Sequence, residues 1–127
     1  DKVRIAKLKA RLPPRIDGFM KALRAGKDDG ILQFLNLEKG ATEQARNVHL
    51  GLLKLAVGLA AWGAELQAWQ IENMEFNEEV TRCNAAVTLK FRTKAGQERT
   101  ADRTPQTWQY IDDDWFLQVA QRNPRKP

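Results

Sequence analysis

Hydrophobic and polar residues alternate most regularly in the second half of the chain. Between Arg82 and Arg92 every second residue is hydrophobic or small, which is typical of a strand with one buried face. We predict a strand here, followed by a hairpin turn at 94–97 in which Gly96 takes a positive φ. The residues expected to face the core are Cys83, Ala85, Val87, Leu89 and Phe91.

The preceding strand needs an irregularity if all of its large hydrophobic residues are to be buried. Two of them share one parity and the next two share the other: Trp69 and Ile71, then Met74 and Phe76. A bulge near Asn73 would let all four side chains point inward. We therefore predict a bulged strand before the regular one.

Aromatic residues flank a short acidic run near the C-terminus. The segment Trp108–Gln118, WQYIDDDWFLQ, predicts two paired strands joined by a tight turn at 112–114. A polar strand at 98–104 would precede them, and Pro105 indicates an edge position or a bulge. The acidic run lacks the ligand spacing and closing Glu of a calcium loop, so we expect a solvated turn and no metal site.

The first half of the chain has mainly helical spacing. Residues 3–12 mix the two periods, with a helix slightly favoured, and a pair of prolines then interrupts them. A second helix is predicted over 14–23, because Pro is tolerated in the first turn of a helix. A short helix over 28–36 and a longer one over 42–62 should follow.

The segment Leu50–Trp62 is hydrophobic on almost every side apart from Lys54. It is shorter than the roughly 20 residues that a bilayer span requires. It also lacks the strongly polar face of an interfacial helix. We therefore predict a central helix covered by the sheet, and no transmembrane segment.

Helices followed by an antiparallel meander predict an α+β fold, with the N-terminal helices packed in the concave face of a curved sheet. The 127 residues fit one domain. Residues 1–12 could instead form an N-terminal extension, and 122–127 are expected to be a frayed tail. Because the chain begins at Asp1, we expect a processed or truncated product, from which a signal for export could have been removed.

The net charge of +5 is concentrated near the N-terminus. This asymmetry could attract phosphates, anionic lipid or an acidic partner, and it is equally expected of the solvated face of a helix. Nucleic-acid binding is disfavoured, because the aromatic residues do not interleave with the cations. The cations are Lys2, Arg4, Lys7, Lys9, Arg11, Arg15, Lys21 and Arg24.

The order of elements and the segment Trp108–Gln118 resemble the nuclear transport factor two-like superfamily, also called cystatin-like or cone-shaped α+β. The resemblance covers residues 14–121, although Asp114 stands where Gly is usual and no short strand is apparent between the second and third helices. It implies a cone-like half barrel and a homodimer through the outer face of the sheet. Its members range from isomerases and dehydratases to catalytically inert binding domains.

The resemblance directs attention to residues that could line the cone. Enzymes similar to ketosteroid isomerase need a buried acid or base, for which His49, the only histidine, and Asp102 are the weak candidates. Each could equally be an ordinary polar residue outside a pocket. Cys83, the only cysteine, is expected to be an inert core thiol.

Four other residues could form a ligand site. An inward Arg103 would supply an anion-binding or cation-π group beside an aromatic wall, whereas an outward Arg103 would pair with Glu98 or a neighbouring residue. The aromatic residues could also be core. The candidate ligand-binding residues are Trp69, Arg103, Trp108 and Tyr110.

The residues show no nucleophile, metal cluster or phosphate loop. We therefore expect a non-enzymatic domain, without a cofactor, that binds a small hydrophobic or anionic ligand or another protein. The alternative is a small isomerase or dehydratase-like enzyme with a base in the cone.

Overall fold

The computed structural model describes residues 1–37, 42–56 and 64–118. Within these ranges helices precede a four-stranded antiparallel sheet of order β1-β2-β3-β4. The predicted α+β fold, with helices against a curved sheet that does not close, is confirmed. The elements are α1 (Lys2–Ala10), α2 (Leu12–Ala25), α3 (Asp28–Leu32), α4 (Glu43–Ala56), β1 (Glu65–Phe76), β2 (Arg82–Arg92), β3 (Glu98–Ile111) and β4 (Asp114–Leu117).

Helices α1 and α2 follow one another with only Arg11 between them, and Arg11 itself keeps helical dihedral angles of −78° and −17°. Pro13 and Pro14 lie in the first turn of α2, where their missing N–H groups are tolerated. The Leu8 carbonyl, next to this break, accepts a hydrogen bond from the indole Nε1 of Trp115 at 2.9 Å. The last strand therefore holds the end of α1.

The helix predicted over 28–36 is shorter than expected and ends at Leu32. Leu35 instead forms a parallel bridge with Leu117. The Leu117 amide donates to the Phe34 carbonyl at 2.7 Å, and the Asn36 amide donates to the Leu117 carbonyl at 2.9 Å. This segment adds a short stretch of sheet beside β4, which the sequence pattern did not indicate.

Helix α4 begins where the sequence predicts. The Thr42 hydroxyl accepts a hydrogen bond from the Ala45 amide at 3.1 Å, as an N-cap does. Leu50 and Leu53 are buried. The predicted continuation to Trp62 lies outside the described residues, as do 122–127.

The predicted bulge in β1 is confirmed and is centred on Glu72. The register shifts between Ile71 and Asn73, so residues of both parities oppose the buried face of β2. The pairs on that face are Trp69 with Leu89, Ile71 with Val87, Met74 with Ala85, and Phe76 with Cys83.

Strand β3 is longer than predicted and contains its own bulge. Asp102 and Arg103 together oppose Thr88, and Arg103 has a φ of 50°. Pro105 follows, beyond the residues that β4 pairs with, so among the described residues it has a strand neighbour only on its β2 side. Whether this is an edge position depends on residues after 118, which lie outside the described residues, so that alternative stays a prediction.

The β3–β4 hairpin turns on two residues, Asp112 and Asp113, because Ile111 pairs with Asp114. Both loop residues have positive φ, 51° and 65°. That pair of values is characteristic of a type I′ turn, whose twist matches that of the flanking strands.

The core lies between α2 and the concave face of the sheet. The Phe19 ring meets the Trp108 ring edge to face, with the ring centres 5.8 Å apart. The largest fully buried side chains of the described residues include Leu12, Ile16, Phe19 and Met20 of α2 and Val87, Leu89, Trp108 and Trp115 of the sheet.

Candidate ligand-binding site

The indole of Trp108 is part of the core and has no exposed surface. Its Nε1 donates to the Gln106 side-chain carbonyl at 3.0 Å. The Gln106 amide in turn lies 3.6 Å from the Met20 sulfur. Gln106 is thus a buried polar residue whose hydrogen-bonding groups are already engaged, and this part of the concave face offers no open surface for a ligand.

Trp69 and Tyr110 are half-buried, and each has a cationic partner other than Arg103. The Trp69 Nε1 donates to the Asp17 carboxylate at 2.9 Å, while the Arg24 guanidinium lies 5.1 Å from the Trp69 ring. The Tyr110 hydroxyl accepts from Arg11 at 3.0 Å. These contacts join α2 and its N-terminus to the sheet.

Asp102 and Arg103 are both exposed at the bulge of β3. The Arg103 amide donates to the Thr88 hydroxyl at 3.2 Å, and the ion pair with Glu98 is made by Arg92, at 3.8 Å. The structure therefore does not bring the predicted aromatic wall and Arg103 together on one concave surface. The bulge changes the parity on which an inward orientation depended.

His49 lies on α4 and is half-buried. Its Nδ1 is buried and has no hydrogen-bonding partner among the described residues. Buried polar nitrogens are usually paired, so this atom is a place where a bound molecule could donate or accept a hydrogen bond.

Cys83 is fully buried, and burial raises the pKa of its thiol to about 11. The thiolate is the reactive form of cysteine. A thiol held neutral in the core agrees with the predicted inert role.

Among the described residues no His, Cys, Asp and Glu side chains are grouped so as to hold a metal ion. In the same part of the chain no helix is both long and hydrophobic enough to cross a membrane.

An open pocket with a volume of about 200 Å³ lies beside the turn of the β2–β3 hairpin. Phe91 and Arg99 are register partners, so their side chains lie on the same face of the sheet. The residues that line the pocket are Phe91, Thr93, Arg99 and Thr100.

The hairpin turn orients the cation of this pocket. Gly96 has a φ of 80°, and the Thr93 hydroxyl accepts from the Gln97 amide at 3.2 Å. The Gln97 side-chain oxygen then accepts from Arg99 Nη2 at 3.2 Å. No carboxylate among the described residues pairs with Arg99, so its other donors face a ligand or solvent.

The predicted turn at 94–97 would place Arg92 opposite Arg99. The observed register instead pairs Arg92 with Glu98 and Phe91 with Arg99. A shift of one residue at the turn therefore brings Phe91 and Arg99 together, and the sequence pattern did not indicate it.

No family model matches the chain, and no curated protein matches it. Among solved structures, the chain is similar to a protein from Xanthomonas campestris pv. campestris described as a "putative polyketide cyclase". The TM-score is 0.49 at 16% sequence identity, over 89% of this chain and 93% of that chain. A likeness at this level assigns neither family nor activity. The described residues form an α+β domain with an open antiparallel sheet.

Proposed function

We propose that this chain is a non-enzymatic domain of the nuclear transport factor two-like superfamily that binds a small organic anion. The superfamily proposal rests on the order of helices and meander and on the hairpin Trp108–Gln118. The binding proposal rests on the pocket that both Phe91 and Arg99 line, on one face of the sheet.

The chemistry of the pocket suits a carboxylate with a hydrophobic body. A guanidinium presents a planar fork of donors that matches the two oxygens of a carboxylate. The Phe91 ring offers a hydrophobic surface beside it, and two threonines supply polar groups at the margin. The volume of about 200 Å³ limits the ligand to a small molecule.

The absence of a catalytic role is supported by the placement of Asp102, one of the two candidate bases. Asp102 is exposed at a bulge of β3, so water has free access to its carboxylate. Trp108 and Trp115 are fully buried and fill their part of the concave face. A general base requires a site from which water is excluded and into which a substrate fits.

A titration with benzoate tests the pocket. Chemical shifts of backbone amides should move around Phe91 and Arg99, and Arg99→Gln should weaken binding about tenfold through loss of a charged hydrogen bond. Arg103→Gln is the matched control, because it removes the same charge from an exposed residue of the same strand.

Equal weakening by the two variants would reduce the effect to net charge and contradict the proposed pocket. If only Arg103→Gln weakened benzoate binding, the result would support the site around Arg103 that the sequence predicted. Phe91→Leu should weaken benzoate more than acetate, because only benzoate has a ring to cover.

The alternative function keeps a specific observation in its favour. The unpartnered Nδ1 of His49 could take a proton from a substrate, as an isomerase or dehydratase requires. Exchange of the α-protons of cyclohexanone into D₂O, followed by NMR, tests this role. A rate that His49→Gln leaves unchanged would remove the support for catalysis.

The proposal also includes a homodimer through the outer face of the sheet. The centre of that face carries short side chains, Ala86 and Thr88 of β2 with Pro105 of β3, which leave room for a second sheet. Sedimentation equilibrium should show a dimer that Ala86→Arg dissociates. A monomer at high concentration would rule out this assembly.

A further inference from the structure

Helix α1 carries a concentration of positive charge that the pocket does not use. Every basic side chain in it is exposed. Lys9 lies over the Phe76 ring, with its Nζ 5.3 Å from the ring centre, and Arg11 at the end of the helix approaches Asp114 at 3.8 Å. Among the described residues, no carboxylate pairs with the remaining three cations, Lys2, Arg4 and Lys7.

A narrow hydrophobic strip runs along the outer side of the same helix. Ile5 and Leu8 are half-buried, pack against the core and so mark the inner side. Helical geometry places a second set at spacings of three and four on the opposite side, with Lys2 on one flank and Lys7 on the other. That set is Val3, which is 63% exposed, with Ala6 and Ala10.

Contacts within the domain itself are enough to form helix α1 and to hold it in place. The Asp1 carboxylate caps its start by accepting from the Val3 amide at 3.1 Å. Its last turn is held by the hydrogen bond from Trp115 to the Leu8 carbonyl. Binding through this face therefore does not include the unfavourable free energy of forming a helix.

We propose that α1 docks the domain on an anionic lipid bilayer. The three cations spread over both flanks of the helix and do not converge on a pocket, which suits a plane of anionic headgroups. The exposed side chains of Val3, Ala6 and Ala10 lie between these two flanks and can enter the headgroup layer. Nucleic acid is the less suitable partner, because α1 has no aromatic side chain on which a base could stack.

Co-sedimentation of the full chain with phosphatidylcholine vesicles containing about 30% phosphatidylserine tests the proposal at low and high salt. Each lysine or arginine near an anionic surface strengthens binding about fivefold, so replacing Lys2, Arg4 and Lys7 by Gln should weaken it about 100-fold. The matched control replaces three exposed cations of the sheet and its β2–β3 turn, Lys90, Lys94 and Arg103, by Gln, and it should weaken binding far less.

A second variant separates a bilayer from other anionic partners. Val3→Ser keeps every charge and should weaken vesicle binding about threefold, because a partly inserted side chain is lost. Circular dichroism checks that each variant keeps its helices.

Equal weakening by the two triple variants would reduce the effect to net charge and overturn the proposal. So would an absence of binding to the anionic vesicles, or binding to a short RNA that depends on the same three cations while vesicle binding does not. The benzoate pocket lies at Phe91 and Arg99, so its failure leaves this result unaffected.

Discussion

The guanidinium carbon of Arg15 lies 4.5 Å from the centre of the Phe34 ring. The centre of the Phe116 ring lies 5.1 Å from the same atom, so the cation contacts two aromatic rings. Its Nε donates to the Trp115 carbonyl at 2.9 Å and approaches the Asp114 carboxylate at 3.4 Å. Arg15 therefore joins α2 both to β4 and to the segment 34–36 that pairs with it.

Two opposing effects act on the charge of Arg15. Burial lowers the pKa of the Arg15 guanidinium, and the nearby Asp114 acts in the opposite direction. Nη2 is buried, and no group in the described part of the chain forms a hydrogen bond with it. The contribution of Arg15 thus depends on its planar shape as much as on its charge.

Arg15→Lys should lower the free energy of unfolding by about 1–2 kcal/mol, because an ammonium keeps the charge but loses the planar stacking and the directed Nε bond. Urea denaturation measures the change. Arg82→Lys is the matched control at an exposed position of β2 and should change stability by less than about 0.5 kcal/mol. Equal effects of the two substitutions would show that stacking and geometry contribute nothing.

Asp113→Gly should stabilise the domain by about 0.5–1 kcal/mol, because Gly is the preferred second residue of a type I′ turn. The hydrogen bond from Arg11 to this residue reaches the backbone carbonyl and survives the change. Thermal unfolding measures the gain. Asp112→Gly, at the first loop position where Asp is well tolerated, should give a smaller gain, and the reverse order would contradict the assigned turn.

The sequence predicted the β1 bulge because side-chain parity leaves no other way to bury both pairs of hydrophobic residues. The alternation from Cys83 to Phe91 predicted β2 for the same reason. Both inferences depend only on a period of two within one strand. The described part of the sheet agrees with them.

The orientation of Arg103 could not be predicted in the same way. The bulge that exposes it is determined by pairing with Thr88 on another strand, and no glycine near it gives a local signal. The extended pairing of Leu35 with Leu117 is likewise a contact between distant segments, while its own spacing reads as helix. Tertiary contacts decided both cases.

Trp115→Phe should loosen α1 while leaving the rest of the domain folded. The substitution keeps an aromatic ring in the core but removes the donor for the Leu8 carbonyl. Hydrogen exchange should therefore speed up in α1 more than in β2, with a loss of about 1–3 kcal/mol in overall stability. Trp69→Phe, which removes a donor to Asp17 instead, should leave exchange in α1 unchanged. Faster exchange in α1 in both variants would indicate a general loss of stability, and not the specific loss of the hydrogen bond between Trp115 and Leu8.

The raised pKa of Cys83 gives the stability a dependence on alkaline pH. The pKa is about 11 in the folded protein against an ordinary value of 9.0, so the unfolded chain loses its thiol proton first. The folded state then binds more protons, and stability must fall as pH rises through the interval from 9.0 to about 11.

At pH 10.5 this loss amounts to about 2 kcal/mol relative to neutral pH. Lysine and tyrosine groups also titrate there, so the measurement is a difference. Cys83→Ala is less stable than the parent at neutral pH because it leaves a small cavity, but it should lose about 2 kcal/mol less between pH 7.5 and 10.5 in urea denaturation. Parallel pH profiles for the parent and the variant would show that the thiol ionises equally in both states, and that Cys83 is not held in a solvent-free core.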